Sequence, residues 1–272
     1  MKLTLNRITI AVSLLAAQTI SAQVFLTDDF TVSSNQNDPN FDIGSGRQTG
    51  TQAPSTYTSF GSQHQVGNST TDVGQPGGDS NKDYLLLAFT SAVQNDLNIN
   101  NTLMAGQPLT ISFDMYVKGQ GTFDPTDWVS FTLRPAGNAG PVAGSGFGML
   151  VRDNGGVQMF NNGGNISGTG GFDTPGYSVS DTWSFTFSDA AGTGSPFSGN
   201  GTQVTFVNGA NSGTFVLASE FGTGTDLQVG FFNQNNVFGG IDNLSILAVP
   251  EPSTIALVSL GLLICGRRCR RG

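Results

Sequence analysis

Apolar and polar residues alternate strictly between positions 109 and 118, and this pattern constrains the fold more than any other stretch. The apolar set is Leu109, Ile111, Phe113, Met115 and Val117, and the polar set is Thr110, Ser112, Asp114, Tyr116 and Lys118. Because successive side chains of a strand point to opposite faces, the alternation predicts a half-buried β-strand. Between the two chain ends no segment shows a convincing 3.6-residue apolar period, so we expect an all-β domain.

Ten further stretches have the short apolar alternations typical of strands. They cover residues 24–32, 84–90, 128–133, 147–152, 157–160, 183–187, 203–207, 214–217, 227–232 and 241–247. Asp153-Asn154-Gly155-Gly156 and Asn208-Gly209 supply the positive-φ residues that hairpin turns need. Residues 33–78 are rich in Gly, Ser, Thr, Asn and Gln, and are predicted to be an irregular loop packed on the domain or partly disordered. This many short strands predicts a sandwich or a barrel.

Three landmarks organise these strands: Asp28-Asp29-Phe30 near the start, a hairpin at 147–160, and a closing strand at 240–246. Together they resemble a concanavalin-like jelly roll of the laminin-G and lectin type. The resemblance implies one β-sandwich domain over residues 23–248.

The first 22 residues read as a secretory signal peptide. Lys2 and Arg7 form its basic region, residues 8–17 its apolar core, and Ser21-Ala22 a small-residue cleavage site. We expect cleavage after Ala22 and a body that lies outside the cytoplasm.

Residues 249–272 contain three consecutive pieces. Pro250-Glu251-Pro252 is held extended by its prolines, residues 255–265 are an uncharged apolar run, and four arginines follow at Arg267, Arg268, Arg270 and Arg271. A helix over 250–266 would be about 25 Å long, somewhat short of a hydrocarbon core of about 30 Å. The arginines favour a transmembrane helix whose basic end stays cytoplasmic. A permanent membrane anchor and a buried core helix are the alternatives.

The order of motif, apolar helix and basic end is similar to the PEP-CTERM sorting signal of bacterial exported proteins. The resemblance implies a sorting motif at Val249, Pro250, Glu251, Pro252 and Ser253, and processing there by an exosortase-type enzyme. It further implies retention in the inner membrane before processing, then delivery to the cell surface or extracellular matrix, in association with extracellular polysaccharide.

The charge of the body limits its partners. Outside the two terminal segments, five of the 11 basic and 18 of the 19 acidic residues remain, which gives the body a net charge of −13. Such a surface repels nucleic acid and suits divalent cations or neutral glycans. Both cysteines, Cys265 and Cys269, lie in the tail, so the body has no disulfide or thiolate chemistry.

Residues for catalysis are scarce. A glycoside hydrolase needs two carboxylates that flank the scissile bond, yet Glu220 is the body's single glutamate. An aspartate pair is the remaining route to that chemistry. His64 is the one histidine, without the partners that a triad or a zinc site needs, and is read as a loop-surface residue. We therefore expect a protein that is not an enzyme.

Two segments could bind calcium. Asp79, Asn81 and Asp83 place oxygen ligands at alternate positions, as at the opening of a calcium loop, although Tyr84 and Thr90 depart from the EF-hand pattern. Asp124-Pro-Thr-Asp127 is the second candidate. Both segments also fit ordinary turns. Calcium is therefore a possible cofactor, and no other cofactor is indicated.

Sugar binding would need an exposed aromatic ring beside polar groups. Tyr116 is the candidate surface ring, whereas Trp128 and Trp183 are expected to pack in the core. The ligand-binding residues stay unassigned. The leading hypothesis is a non-catalytic glycan-binding or structural module, and the alternative is a carbohydrate-active enzyme that uses aspartates. Two converging carboxylates would favour the enzyme, and an exposed aromatic on a sheet face would favour the binder.

Overall fold

The described part of the chain consists of β-strands and their turns and has no helix, which confirms the predicted all-β class. The computed structural model describes residues 23–30, 49–50, 57–60, 64–67, 84–87, 93–99, 108–119, 124, 126–135, 146–166, 180–189, 201–217, 227–234 and 237–248. None of these residues forms a helix that is long and apolar enough to cross a membrane.

Fifteen strands lie within these residues. They are β1 Gln23–Asp28, β2 Tyr57–Phe60, β3 His64–Gly67, β4 Tyr84–Leu87, β5 Val93–Ile99, β6 Leu109–Gly119, β7 Trp128–Pro135, β8 Phe147–Arg152, β9 Val157–Asn161, β10 Gly164–Asn165, β11 Ser180–Asp189, β12 Thr202–Asn208, β13 Asn211–Val216, β14 Leu227–Gln234 and β15 Val237–Ala248.

The strands form two sheets. The eight-stranded sheet has the order β13-β12-β11-β6-β15-β4-β3, and β1 also pairs with β15; the seven-stranded sheet has the order β10-β9-β8-β7-β14-β5-β2. Every pair whose register is described is antiparallel. The neighbours β6–β15 and β7–β14 are far apart in sequence, so each sheet is completed by strands from both halves of the domain.

Phenylalanine rings fill the space between the two sheets. Phe113 of the eight-stranded sheet lies 4.8 Å from Phe131 of the seven-stranded sheet, measured between ring centroids. Phe131 is also 5.1 Å from Phe185, and Phe147 is 5.7 Å from Phe187. These contacts cross from one sheet to the other, so the two sheets form the predicted sandwich around one aromatic core.

The burial pattern of β6 confirms the half-buried strand that its alternating sequence predicts. Its five apolar side chains are buried, whereas residues 110, 112, 114 and 116 are partly exposed on the opposite face. The hairpin β8–β9 also forms where predicted, and Gly155 supplies its positive φ of 81°.

The prediction of an irregular loop at residues 33–78 is wrong for two short segments. β2 and β3 lie inside it, and His64 is the first residue of β3, paired with Leu87, and not a loop residue. These strands have four residues each, too few for a polar sequence to show a period. They are specified by their pairing with β5 and β4. β5 itself was not predicted either, because polar residues occupy three of its positions in a row, at 94–96.

The first strand is shorter than the predicted 24–32. β1 ends at Asp28, whose Oδ1 accepts a hydrogen bond of 2.9 Å from the backbone N–H of Phe30. Phe30 has a φ of 52°, a left-handed conformation that a strand does not contain. A local side-chain hydrogen bond therefore turns the chain before the apolar pattern ends.

Two neighbouring strands of the seven-stranded sheet are buried on both faces. In β7, Val129, Phe131 and Leu133 point into the core, while Ser130, Thr132 and Arg134 point outward and are also buried. All six residues of β8 are buried as well. The outward face of these two strands is therefore also buried, and it carries the polar side chains of Ser130, Thr132, Arg134 and Arg152. A site can be built on this face.

Candidate functional site

A stacked aromatic pair marks one end of this outward face. Trp128 begins β7, and its ring stacks on Phe232 of β14, with centroids 5.6 Å apart and planes 24° from parallel. Trp128 is 7% exposed and Phe232 is half-buried. Phe232 is thus the ring of the pair that a ligand could reach, supported from behind by the indole.

A buried guanidinium lies beside this pair. Arg152 is the cross-strand partner of Trp128, is fully buried, and its Nη2 donates to Oε1 of Gln158 over 3.5 Å. Gln158 is also buried. Aromatic rings with a few convergent amide and guanidinium groups are what a site for a polar ligand requires. We call Trp128, Arg152, Gln158 and Phe232 the Trp128 cluster.

Two aspartates border the cluster. Asp127 is buried and Asp153 is partly buried, and they directly precede Trp128 and follow Arg152. Burial raises the pKa of Asp153 above its ordinary value, and the negative charge of Asp127 raises it further. Oδ1 of Asp153 has no hydrogen-bond partner among the described residues. This is a carboxylate in an environment that disfavours its charged form.

The second calcium candidate forms a turn in the structure. Oδ1 of Asp124 accepts hydrogen bonds from the backbone N–H and the hydroxyl of Thr126, at 2.8 and 2.7 Å. These two bonds lower the pKa of Asp124. The described residues contain no group of three or more His, Cys, Asp or Glu side chains placed to hold a metal ion. The backbone N–H of Asp127 donates to the carbonyl of Asp124 at 2.9 Å, which closes the turn.

The other aromatic candidates lie away from the Trp128 cluster. Trp183 is 1% exposed and stacks in the core on Phe185, with a centroid distance of 5.8 Å. Trp183 thus confirms the predicted core packing. The prediction is wrong for Trp128, which is buried on the outward face of the seven-stranded sheet and not in the core between the sheets. Tyr116 is half-buried on the outward face of the eight-stranded sheet.

A second polar group lies on the eight-stranded sheet. Asp114 accepts hydrogen bonds from the hydroxyl of Thr182 at 2.5 Å and from Nδ2 of Asn243 at 2.7 Å. Asn243 lies in the irregularity of β15 between Asp242 and Ser245, and has a φ of 50°. A cleft of about 260 Å³ adjoins it, lined by Thr27, Asp28, Asp29, Thr49, Asn243, Leu244 and Ser245.

Several predicted site residues lie outside the described residues. They are Asp79, Asn81, Asp83, Glu220, the motif residues Val249 to Ser253, and Arg267, Arg268, Arg270 and Arg271. The backbone of His64 is described but its side chain is not. Sequence reasoning missed Arg152, Gln158 and Asp153, because only the register of β7, β8 and β9 brings them beside Trp128.

No curated protein matches the chain. Solved structures with a similar chain trace include the winged bean acidic lectin complexed with methyl-α-D-galactose, at 12% identity and a TM-score of 0.46, covering 84% of this chain and 99% of that one. The carbohydrate recognition domain of Emp47p is 14% identical, with a TM-score of 0.46 and coverage of 82% and 95%. A carbohydrate esterase of the Shiga toxin-encoding bacteriophage phi24B is 15% identical, with a TM-score of 0.42 and coverage of 71% and 89%. At these scores the likenesses transfer neither ligand nor activity.

The tail is identified from its sequence. The matched segment begins at the last residue of β15, Ala248, and includes the Pro-Glu-Pro motif, the apolar run and all four arginines. Residues 248–271 match the family described as the PEP-CTERM protein-sorting motif, so this chain carries a PEP-CTERM sorting signal.

Proposed function

We propose that this is an exported protein whose sandwich is delivered to the cell surface or the extracellular matrix by its PEP-CTERM tail. The observation that carries the proposal is the match over residues 248–271, directly behind the last strand of the sandwich. In this proposal residues 1–22 are a signal peptide, residues 249–253 are the motif read by an exosortase-type enzyme, and the four arginines hold the tail end in the cytoplasm.

The proposed role of the sandwich is non-catalytic binding of a glycan, or a structural role in the matrix. The Trp128 cluster supports binding, since the half-buried ring of Phe232 stacks on Trp128, whose cross-strand partner Arg152 is hydrogen-bonded to Gln158. The net charge of −13 for the body favours neutral polysaccharide over nucleic acid as a partner. Calcium at Asp79, Asn81 and Asp83 stays a proposal that rests on the sequence alone.

A carbohydrate-active enzyme is the second candidate, and one observation favours it. Glycosidases use a carboxylic acid of raised pKa next to a second carboxylate. Asp153 has a raised pKa and senses the charge of Asp127. In that case Asp153→Asn would abolish the release of reducing ends from polysaccharide, and Asp124→Asn would leave it unchanged.

The intact mass of the native protein, recovered from envelope and medium, tests the sorting proposal. We expect a product that begins near Gln23 and ends near Pro250–Pro252, because both terminal signals are removed. A mass that includes Arg271 would establish a permanent anchor and overturn the proposal. Replacing Pro250, Glu251 and Pro252 with alanine should keep the unprocessed chain in the membrane, and normal release of that variant would argue against recognition of the motif.

Binding to immobilised bacterial polysaccharides tests the role of the Trp128 cluster. Phe232→Ala removes the reachable ring, and we expect it to weaken binding at least tenfold, which corresponds to about 1.4 kcal/mol. Tyr116→Ala is the matched control, since it removes a half-buried ring from the other sheet. Equal losses in both variants, or none in either, would contradict a site at the Trp128 cluster.

A further inference from the structure

The eight-stranded sheet ends, among the described strands, at β13, and the backbone of this strand has an open hydrogen-bonding edge. β12 and β13 form a hairpin in which Asn208 pairs with Asn211 across a two-residue loop. In such a hairpin the residues next to the loop exchange backbone hydrogen bonds, and every second pair does so from there on. Gly213 and Phe215 therefore bond to β12. Ser212, Thr214 and Val216 direct their N–H and C=O groups away from it.

These three outward-directed residues are exposed, and their strand is held firmly in place. Phe206 covers Gly213 so closely that a Cβ atom there would lie 2.6 Å from the ring. Thr214 is hydrogen-bonded through its hydroxyl to Thr205 on β12, at 3.0 Å. The edge is thus a fixed row of three donors and three acceptors, which is the template that an added strand requires.

None of the features that normally protect an edge strand is present in β13. It has the sequence Asn-Ser-Gly-Thr-Phe-Val, with no lysine, proline or other charge, and it pairs with β12 without a register shift. Two of the three large apolar side chains that are exposed in the described residues belong to this hairpin: Val207 of β12 at 44% and Val216 of β13 at 55%. An uncharged edge with exposed valines beside it favours pairing with another strand.

The distribution of charge indicates which strand pairs with β13. The body has a net charge of −13, which opposes the approach of two copies over most of its surface. Residues 190–219 contain no charged side chain at all, and β12 and β13 lie within them. This edge is consequently a surface where two copies meet without mutual repulsion.

We propose that β13 pairs antiparallel with β13 of a second copy of this chain, which joins the two eight-stranded sheets into one. The register follows from the outward-directed residues, since all three on each strand find a partner when Thr214 faces Thr214 of the other copy. Ser212 then faces Val216 of the other copy. The same two-fold pairing brings the exposed valines of both copies to the outer face of the joined sheet, and it satisfies the symmetry of an isologous dimer.

Position-specific cross-linking of the full chain in detergent tests this register. In a background of Cys265→Ser and Cys269→Ser, we would introduce Thr214→Cys, Ser212→Cys or Val216→Cys, one at a time, and add a short bismaleimide. The Cα atoms of the two residues 214 are expected about 5.5 Å apart. Those of the two residues 212 are offset by about 13 Å along the strands. Thr214→Cys should therefore give a covalent dimer at least tenfold faster than either of the other two variants.

A second pair of variants tests the interaction without cysteine. Thr214→Pro removes one outward N–H and the side-chain bond to Thr205, while the backbone bonds to β12 stay in place. Self-association should therefore weaken at least tenfold in sedimentation velocity runs of the full chain. Val216→Lys should do the same by placing like charges at the edge. Val24→Lys is the control, because Val24 is similarly exposed at 40% but lies on β1.

The possible results separate clearly. Faster cross-linking at position 214, together with loss of association in Thr214→Pro and Val216→Lys but not in Val24→Lys, supports the proposal. Equal cross-linking at all three positions would indicate random collision and overturn it. A chain that stays monomeric and forms no cross-link also overturns it.

Discussion

The central strands of the two sheets, β6 and β7, carry similar kinds of residues but use their outward faces differently. β6 presents Thr110, Ser112 and Asp114 to partial exposure, and the side chains of Thr110 and Asp114 are hydrogen-bonded to neighbours on β11. On β7 the outward Thr132 and Arg134 are buried and hydrogen-bonded to each other. A polar residue in a strand therefore does not by itself mark the solvent side.

The difference has an energetic meaning. A hydroxyl at a partly exposed position can exchange its protein partner for water, so its loss costs little. A buried guanidinium or amide cannot make that exchange, and removing one member of a pair leaves the other without compensation. We therefore expect substitutions on the outward face of the seven-stranded sheet to cost more than equivalent ones on the eight-stranded sheet.

The largest loss of stability is expected for a substitution in the core, to which both sheets contribute their inward faces. Phe131 is fully buried and its ring lies within 6.2 Å of Phe113, Phe147, Phe185 and Phe231. Phe131→Ala should lower the free energy of unfolding by about 3–5 kcal/mol, through lost burial and the cavity left behind. Urea denaturation measures this loss. A cost below that of a surface substitution would mean that the sandwich does not pack through this ring.

One substitution on the outward face of each sheet tests whether the buried face contributes more to stability. Arg152→Ala leaves Oε1 of Gln158 without this donor, and should cost about 1–3 kcal/mol. Thr186→Ala, on the eight-stranded sheet, removes the 3.0 Å hydroxyl contact with its cross-strand partner Thr110, and should cost about 0.2–1 kcal/mol. The two free energies of unfolding are compared under identical conditions. Equal costs would show that the two outward faces do not differ in their solvation.

The smallest effect concerns two aspartates near the same end of the seven-stranded sheet, whose pKa values shift in opposite directions. The pKa of Asp153 is raised in the folded state, so its ionisation destabilises the fold as pH rises from the unfolded pKa of 3.8 through the folded value. The pKa of Asp124 is lowered, so its stabilisation is present above pH 3.8 and is lost as pH falls through the folded value.

Asp153→Asn and Asp124→Asn separate these contributions. Relative to the unmodified chain, Asp153→Asn should gain stability as pH rises from about 4 towards 7, whereas Asp124→Asn should lose stability as pH rises from about 2 to about 4. Thermal unfolding at a series of pH values measures both slopes. Slopes of the same sign would mean that Asp153 is not destabilised by burial and by Asp127.

The parts of the fold that could be predicted are strands and turns whose own sequence pattern indicates which side chains are buried or where the chain turns. The alternation in β6 predicts which of its side chains face the core, and the glycine-containing turns predict where hairpins close. β2 and β3 gave no such signal, because four-residue polar strands depend on partners that lie elsewhere in the chain. The Trp128 cluster could not be predicted for a related reason. Trp128, Arg152 and Phe232 come from three segments, and only their register places them side by side.

The position of β15 affects the order in which the molecule can be completed. This is the last of the fifteen described strands to be synthesised, yet it lies between β6 and β4 in the middle of its sheet and also pairs with β1. Until it arrives, β6 and β4 lack their common neighbour, and about 120 residues of intervening chain must be ordered to bring β15 against β6. The eight-stranded sheet can therefore be completed only late in the synthesis and folding of the chain. This step can occur only when the residues that immediately precede the sorting signal have become available.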